Sequence, residues 1–356
     1  MKRLLALSLL LSAVTGLAAP VTPGNLLIYR VGDGSAALST AATPVFLDEY
    51  SPLGSLVQTF ALPSSGATAL TAVGNATTEG IMSLSQDGSL VLFTGYRKNA
   101  GGTSPASDAP GTTPRVIGTF SPSLGLFDTS ISLTDANGTI RSATSTDGSS
   151  LFYVGTSAGV RYVASPGPSS TSVVVDSRNS RQALLRDNRL FVSNGSTSLT
   201  PKVQDYGVLP TGPVASNAVV VLTTADAVNG IAFFDLDAGV AGVDTLYALS
   251  TVEGRLRKYT FDGSAWNASG FLSTTAQNLN GLAVGGAVNL FLTTGSSLLS
   301  VTDTSGYGGT LSGTPTTLAT AGANTAFRGI VQVVPEPASM ALLAIGAALL
   351  MRRWAR

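Results

Sequence analysis

A short polar or glycine lead-in to an apolar run recurs six times along this chain, and no other feature limits the fold so strongly. The lead-ins are Glu79-Gly80-Ile81, Ile140-Arg141-Ser142, Ser180-Arg181-Gln182, Asn229-Gly230-Ile231, Asn280-Gly281-Leu282 and Arg328-Gly329-Ile330. They stand about 40 to 60 residues apart, the later ones near 50, a period that fits arrays in which each unit is a small sheet. Turn pairs follow most of them: Asp87-Gly88, Asp147-Gly148, Asp187-Asn188 and Gly285-Gly286. Such pairs accept the positive φ of a tight hairpin.

The runs are short and rich in β-branched or aromatic residues: SLVLFT at 89–94, SLFYV at 150–154, RLFVS at 189–193, TLYALS at 245–250 and NLFLT at 289–293. Sustained helix-forming stretches are missing from 20–333, so the body reads as all-β. A hydrophobic content of 44% supplies buried sheet faces rather than disorder. The clearest unit predicts strands at 230–236, 245–250, 255–261 and 266–273, with Asp262-Gly263 turning the last hairpin. Another unit runs from 281 to about 318. At the extremes, 328–334 reads as a first strand without successors, and 25–31, 43–50 and 55–62 as three strands without a first member. The expectation is a β-propeller of six four-stranded antiparallel blades, in which N- and C-terminal strands share the closing blade and so remove an exposed edge. A seventh blade would have to lie within the weakly patterned stretch 193–228. A pair of β-sandwiches or a β-helix is the alternative, although the period is long for a β-helix.

Both ends stand apart from this body. Met1-Lys2-Arg3, an apolar stretch from Leu4 to Val14 and the small residues Gly16, Ala18 and Ala19 predict a secretory signal peptide over 1–19, cleaved after Ala18 or Ala19. A retained N-terminal anchor is the other reading. At the far end, 334–356 carries Pro335-Glu336-Pro337, an uncharged run over 338–351, and then Arg352, Arg353 and Arg356. The prolines hold the peptide extended. The run predicts a short transmembrane helix of ~21 Å at ~1.5 Å per residue, below the ~20 residues of a comfortable span. Snorkelling arginines would lengthen it and mark the cytoplasmic side. A buried C-terminal helix is the alternative.

This order of tripeptide, apolar run and basic stop resembles the PEP-CTERM sorting signal of bacterial surface proteins. The resemblance covers 334–356 only. It implies an exosortase-type processing enzyme as partner, a membrane-anchored stage, and delivery to the cell envelope, cell surface or extracellular space. The body also resembles bacterial surface β-propellers carrying the same signal, over 25–48 (NLLIYRVGDGSAALSTAATPVFLD) and 235–247 (DLDAGVAGVDTLY). That resemblance implies a link to exopolysaccharide and biofilm but no particular ligand.

Composition removes several chemistries. The chain has no cysteine and no histidine, hence no disulfide, no thiolate nucleophile, no Ser-His-Asp triad and no imidazole base. Its 20 basic and 20 acidic residues balance, but Lys2, Arg3, Arg352, Arg353 and Arg356 all lie in the end signals. Without these five the balance is 15 to 20, a net of −5 with Glu336 kept, which speaks against a nucleic-acid partner.

The remaining candidates are few. Asp235, Asp237 and Asp244 surround one predicted turn, and oxygen ligands in a tight loop suit calcium. The plainer reading is that they cap turns, and the expectation is no cofactor, with calcium as the alternative. Asp48-Glu49 and Glu79 are candidates for a paired acid and base. Arg178, Arg181, Arg186 and Arg189 form the one basic cluster, a rim for acidic polysaccharide or a solvated strand edge. Tyr29, Tyr96, Tyr153, Tyr162, Tyr247 and Tyr259 would stack on sugars if exposed, or pack between blades. The preferred expectation is a non-enzymatic exported surface or matrix protein whose propeller binds polysaccharide or another surface protein. The alternative is a secreted, carboxylate-based and calcium-dependent hydrolase or lyase acting at the propeller mouth.

Overall fold

The computed structural model of the protein describes residues 19–220 and 226–334. The signal peptide apart from Ala19, the 338–351 run, Pro335-Glu336-Pro337 and the terminal arginines lie outside the described residues.

Among the described residues twenty-five strands build the body, with a 3-10 turn at Pro105–Ser107. The chain begins with β1 (Leu26–Val31), β2 (Ala42–Tyr50), β3 (Leu56–Ala61) and a short β4 (Thr71–Val73). A second group is β5 (Ser83–Leu84), β6 (Val91–Tyr96), β7 (Arg115–Ser121) and β8 (Leu126–Leu133). Four separate four-stranded sheets follow. They are β9 (Ile140–Thr144), β10 (Phe152–Thr156), β11 (Gly159–Val163) and β12 (Val173–Asp176); β13 (Ser180–Arg186), β14 (Arg189–Asn194), β15 (Val203–Val208) and β16 (Asn217–Val220); β17 (Val228–Phe234), β18 (Thr245–Ser250), β19 (Arg255–Phe261) and β20 (Trp266–Ser273); and β21 (Asn278–Val284), β22 (Ala287–Thr293), β23 (Ser297–Asp303) and β24 (Thr316–Thr320). The last strand, β25 (Ala326–Gln332), returns to pair antiparallel with β1, placing Leu26 opposite Gln332 and Ile28 opposite Ile330.

The closing blade is therefore β25-β1-β2-β3, as the strand count predicts. The second blade is β5 to β8, and β4 pairs with both β2 and β6, so the first two blades form one continuous nine-stranded sheet. That bridge has no counterpart in the sequence pattern, because three residues carry no periodicity. Among the described residues the blades number six. The stretch 193–228 holds the outer strands β15 and β16 of one blade, which leaves no seventh among the described residues.

Six hydrophobic clusters lie between consecutive blades. Strand alternation sends successive side chains to opposite neighbours. On β1, Leu27, Tyr29 and Val31 pack with Phe93 and Phe120 of the second blade. Leu26 and Ile28 pack with Phe291 and Leu298 of the sixth. The other four clusters join second to third, third to fourth, fourth to fifth and fifth to sixth blades. Inner strands are thus mostly buried on both faces, β17 throughout and β21 only at its start, while outermost strands such as β20 and β24 are largely exposed. All the candidate tyrosines except half-buried Tyr162 are buried among the blades.

Each lead-in lies on an inner strand or just before it, at the start for the second to fifth blades and mid-strand on β21 and β25, and these strands stand side by side around the axis. Gly329 N donates to Gly80 O at 2.9 Å, and Ile81 N to Arg141 O at 2.9 Å. Ser142 Oγ donates to Arg181 O at 2.8 Å, Ile231 N to Gln182 Oε1 at 2.7 Å, and Gln332 N to Asn280 Oδ1 at 2.9 Å. The glycine of the lead-in permits this approach. A Cβ on Gly329 would stand 2.1 Å from Gly80 O, and one on Gly230 would stand 2.7 Å from Leu279 Cδ2.

A buried ion pair fastens the fifth blade to the sixth. Lys258 Nζ lies 2.9 Å from Asp303 Oδ2 with both side chains fully buried. The ammonium also donates to Ser305 Oγ at 2.8 Å and Gly306 O at 2.6 Å, and Tyr247 Oη donates to Asp303 at 2.6 Å. Its donors are met, which is the condition for tolerating a buried charge. Lys258→Met leaves Asp303 buried and uncompensated, and is expected to cost about 3–5 kcal/mol in urea denaturation; a loss below about 1 kcal/mol would show that the pair does not fasten these blades.

Candidate functional site

The inner strands enclose a central cavity of about 420 Å³ that opens toward their C-terminal ends. Its wall is drawn from five blades: the β5 turn through Gly88, the later part of β13 to Arg186, β17 to Asp235, Asn280 to Ala283 on β21, and Gln332 with Val334 after β25. Most of this wall is aliphatic, amide, serine or glycine. Its charged members, Asp87, Arg186 and Asp235, are exposed at the mouth. Asp87 is engaged in its own turn, accepting from Ser85 Oγ at 2.6 Å and Ser89 N at 3.1 Å, and the following Gly88 has φ +77°. Arg186 donates to Phe233 O at 3.3 Å.

The three aspartates around the β17–β18 turn do different things. Asp235 belongs to the cavity mouth. Asp237 Oδ1 accepts Gly239 N at 2.9 Å. Asp244 is buried and accepts Asp237 N at 2.6 Å, Leu236 N at 3.1 Å and Thr245 Oγ1 at 2.7 Å. Each shown bond of Asp237 and Asp244 is a turn-capping bond. Among the described residues no group of three or more acidic side chains is disposed to hold a metal ion.

The candidate acid–base carboxylates do not converge. Asp48 and Glu49 are both buried on β2, where adjacent residues point to opposite faces. Asp48 takes Arg30 Nε at 2.5 Å and Thr59 Oγ1 at 2.8 Å. Glu49 takes Asn25 Nδ2 at 2.5 Å, Gln58 Nε2 at 2.6 Å and Thr22 N at 3.0 Å. Glu79 is buried just ahead of β5, at the start of the axial strands. It accepts Tyr96 Oη at 2.8 Å and Val73 N at 3.1 Å, with Arg328 Nη1 at 3.7 Å. Burial pushes its carboxyl above the ordinary 4.5, and Arg328 and the Tyr96 hydroxyl pull it partly back.

The basic cluster is divided among separate places. Arg189 turns outward to Asp205 at 2.5 Å, and Arg178 lies 3.7 Å from Asp176. Arg186 stands at the cavity mouth, and Arg181 lies at the start of β13 with its Nε and Nη1 atoms buried. Four arginines close in sequence alternate along a strand, a turn and a second strand, so no shared rim results. The lead-in polar residues gather instead at the end of the axis where inner strands begin. Their clustering depends on ring closure, and the sequence signal for it was the lead-in repeat itself.

Residues 333–356 match the model of the PEP-CTERM protein-sorting motif. A motif of this kind implies an exported protein, sorted to the cell envelope and handled by an exosortase. No curated protein is similar in sequence. Among solved structures, one from a nidogen/laminin complex is 13% identical, with TM-score 0.50 over 87% of this chain and 98% of that one. A putative 6-phosphogluconolactonase from Bacteroides fragilis is 8% identical, with TM-score 0.50 over 82% of each chain. At such identities the likeness speaks to the fold alone. The β-propeller domain of Cps50 (Swd1) from Myceliophteria thermophila is 8% identical, with TM-score 0.43 over 85% of this chain and 89% of that one.

Two outcomes are expected. Because the folded pKa of Glu79 is raised, its contribution to stability is full below 4.5 and is lost as pH rises through the folded value. The facing groups Arg328, Arg141, Tyr96 and Tyr29 keep their charge state below about pH 8, so the stability of the wild type relative to Glu79→Gln falls with rising pH in urea titrations; a flat or rising difference contradicts this. A chelator is expected to leave the melting temperature unchanged, and a drop of about 10 °C or more, which corresponds to several kcal/mol, would overturn the preference for turn-capping aspartates over a calcium site.

Proposed function

We propose that the propeller is the binding or scaffold module of an exported surface or extracellular-matrix protein, with its central cavity as the place where a polysaccharide segment or a surface-protein loop enters. The observation that carries this reading is the cavity wall. It offers amides, hydroxyls and aliphatic surface, the mixture that holds a neutral polar ligand in a preformed concave site. The sorting motif supports the destination, and exopolysaccharide or biofilm is the setting it suggests. A carboxylate-based hydrolase or lyase is not favoured, because Asp48, Glu49 and Glu79 are held by separate partners. The net of −5 left after removing the end-signal charges is unsuited to nucleic acid.

The ends fit the same account. Ordered contacts begin at once after the expected cleavage point: Gln58 Nε2 donates to Ala19 O at 3.0 Å, and Val21 N to Pro122 O at 2.8 Å. Val334, already within the sorting motif, still belongs to the cavity wall. In this reading the 338–351 run holds the protein in the membrane until the exosortase acts at Pro335-Glu336-Pro337, with Arg352, Arg353 and Arg356 on the cytoplasmic side. Replacing the tripeptide with three alanines is expected to retain the protein in the membrane fraction, with mass spectrometry showing an unprocessed C-terminus. Release equal to wild type would refute the sorting role.

A further inference from the structure

Four charged side chains lie toward the beginnings of the inner strands, away from the cavity mouth. They come from consecutive blades: Arg328 on β25, Glu79 before β5, Arg141 on β9 and Arg181 on β13. Arg141 and Arg328 are 6% and 3% exposed, and Glu79 is 3% exposed. Arg328 and Arg141 thus both act on the one carboxylate, Glu79, while half-buried Arg181 acts on Arg141.

The pairing is also uneven. Arg328 Nη2 donates to Val73 O at 2.7 Å and Gly74 O at 2.8 Å, and Nη1 is the group near Glu79. Arg141 Nη1 donates to Asn179 Oδ1 and, at 2.8 Å, to Ser180 O. No ion pair to Arg141 or Arg181 is found among the described residues. Buried Nε of Arg141, Nε and Nη1 of Arg181, and Nε and Nη1 of Arg328 meet no acceptor. The glycine at 195 leaves room for the Arg181 guanidinium, which a Cβ there would strike. Arg141 and Arg181 also repel each other: burial and that repulsion lower Arg141 to about 9, and burial lowers Arg181 to about 10. Both remain cations at neutral pH. A buried cation without a counter-charge costs several kcal/mol, and uncommitted guanidinium N–H groups are strong anion donors.

We propose that this end of the propeller axis is a binding site for a small monovalent anion, a halide or a single carboxylate group, held between Arg141 and Arg181 with Arg328 behind them. An anion there balances the excess charge of four blades at the point where they converge. The site is separate from the cavity mouth, so it stands whether or not the mouth takes a polysaccharide.

The test uses purified full-length protein and thermal melts at constant ionic strength, with sodium chloride or bromide replacing sodium isethionate. A saturable rise in melting temperature of at least about 2 °C is expected for the small anions, and Arg181→Gln should abolish it while Arg181→Lys retains part of it. Crystals grown in bromide should show an anomalous peak beside the two guanidinium groups, a readout that does not depend on any variant folding. Glucuronate that displaces bromide would make the natural source an acidic sugar; bromide binding indifferent to glucuronate would make it a free inorganic ion. Melting temperatures equal in all salts, with no anomalous peak at these arginines, would overturn the proposal.

Discussion

The pairing of β1 with β25 is the interaction on which the rest depends. It sets Ile28 against Ile330 and Leu26 against Gln332 across about three hundred residues of chain. Without it the first blade would lack its inner strand and the sixth cluster would lose Phe327 and Ile330. Two sheet edges would then be open to other chains. Closing so long a loop adds only modestly to the entropic cost, which grows with the logarithm of length. Closure makes the blades interdependent, because every blade buries one face against each neighbour and none has a free side.

Much of this architecture was legible in the sequence because turn chemistry and strand alternation point the same way. The strands expected at 245–250, 255–261 and 266–273 coincide with β18, β19 and β20. Gly263, with φ +93°, turns the last hairpin while Asp262 Oδ1 accepts Ser264 N and Ala265 N. The composite closing blade was visible as three orphan strands and one unfollowed strand. What failed to register was short or irregular: β4 and β5 have three and two residues, too few to show a period. The outer strands β15 and β16 were obscured by long polar connections, which raised the false prospect of a seventh blade.

The candidate site was less legible for a different reason. Which charges meet depends on register across blades, and that information is not local. The four neighbouring arginines at 178–189 read as a patch, yet Arg189 pairs outward with Asp205 while Arg181 has its Nε and Nη1 buried beside Gly195. Conversely, Arg328 and Glu79 are about 250 residues apart in sequence and 3.7 Å apart in space. Sparse charge makes such meetings consequential. With only 11% charged residues, the interior holds a few pairs, and Lys258 with Asp303 shows how completely one can be met. The same standard, applied to Arg141 and Arg181, exposes the local excess.

One strand carries two duties. β25 closes the ring, and the chain leaves it through Gln332, Val333 and Val334, with Val334 still in the cavity wall and 3.6 Å from the position a Cβ on Gly88 would take. The sorting motif begins at Val333, the residue that follows the strand. No spacer separates the segment that addresses the protein from the strand that completes its fold. The cavity wall and the start of the sorting motif therefore share Val334. Closure by β25 thus places the first residues of the sorting motif beside the cavity as well as holding the blades together, and the arginines lie toward the other end of the axis.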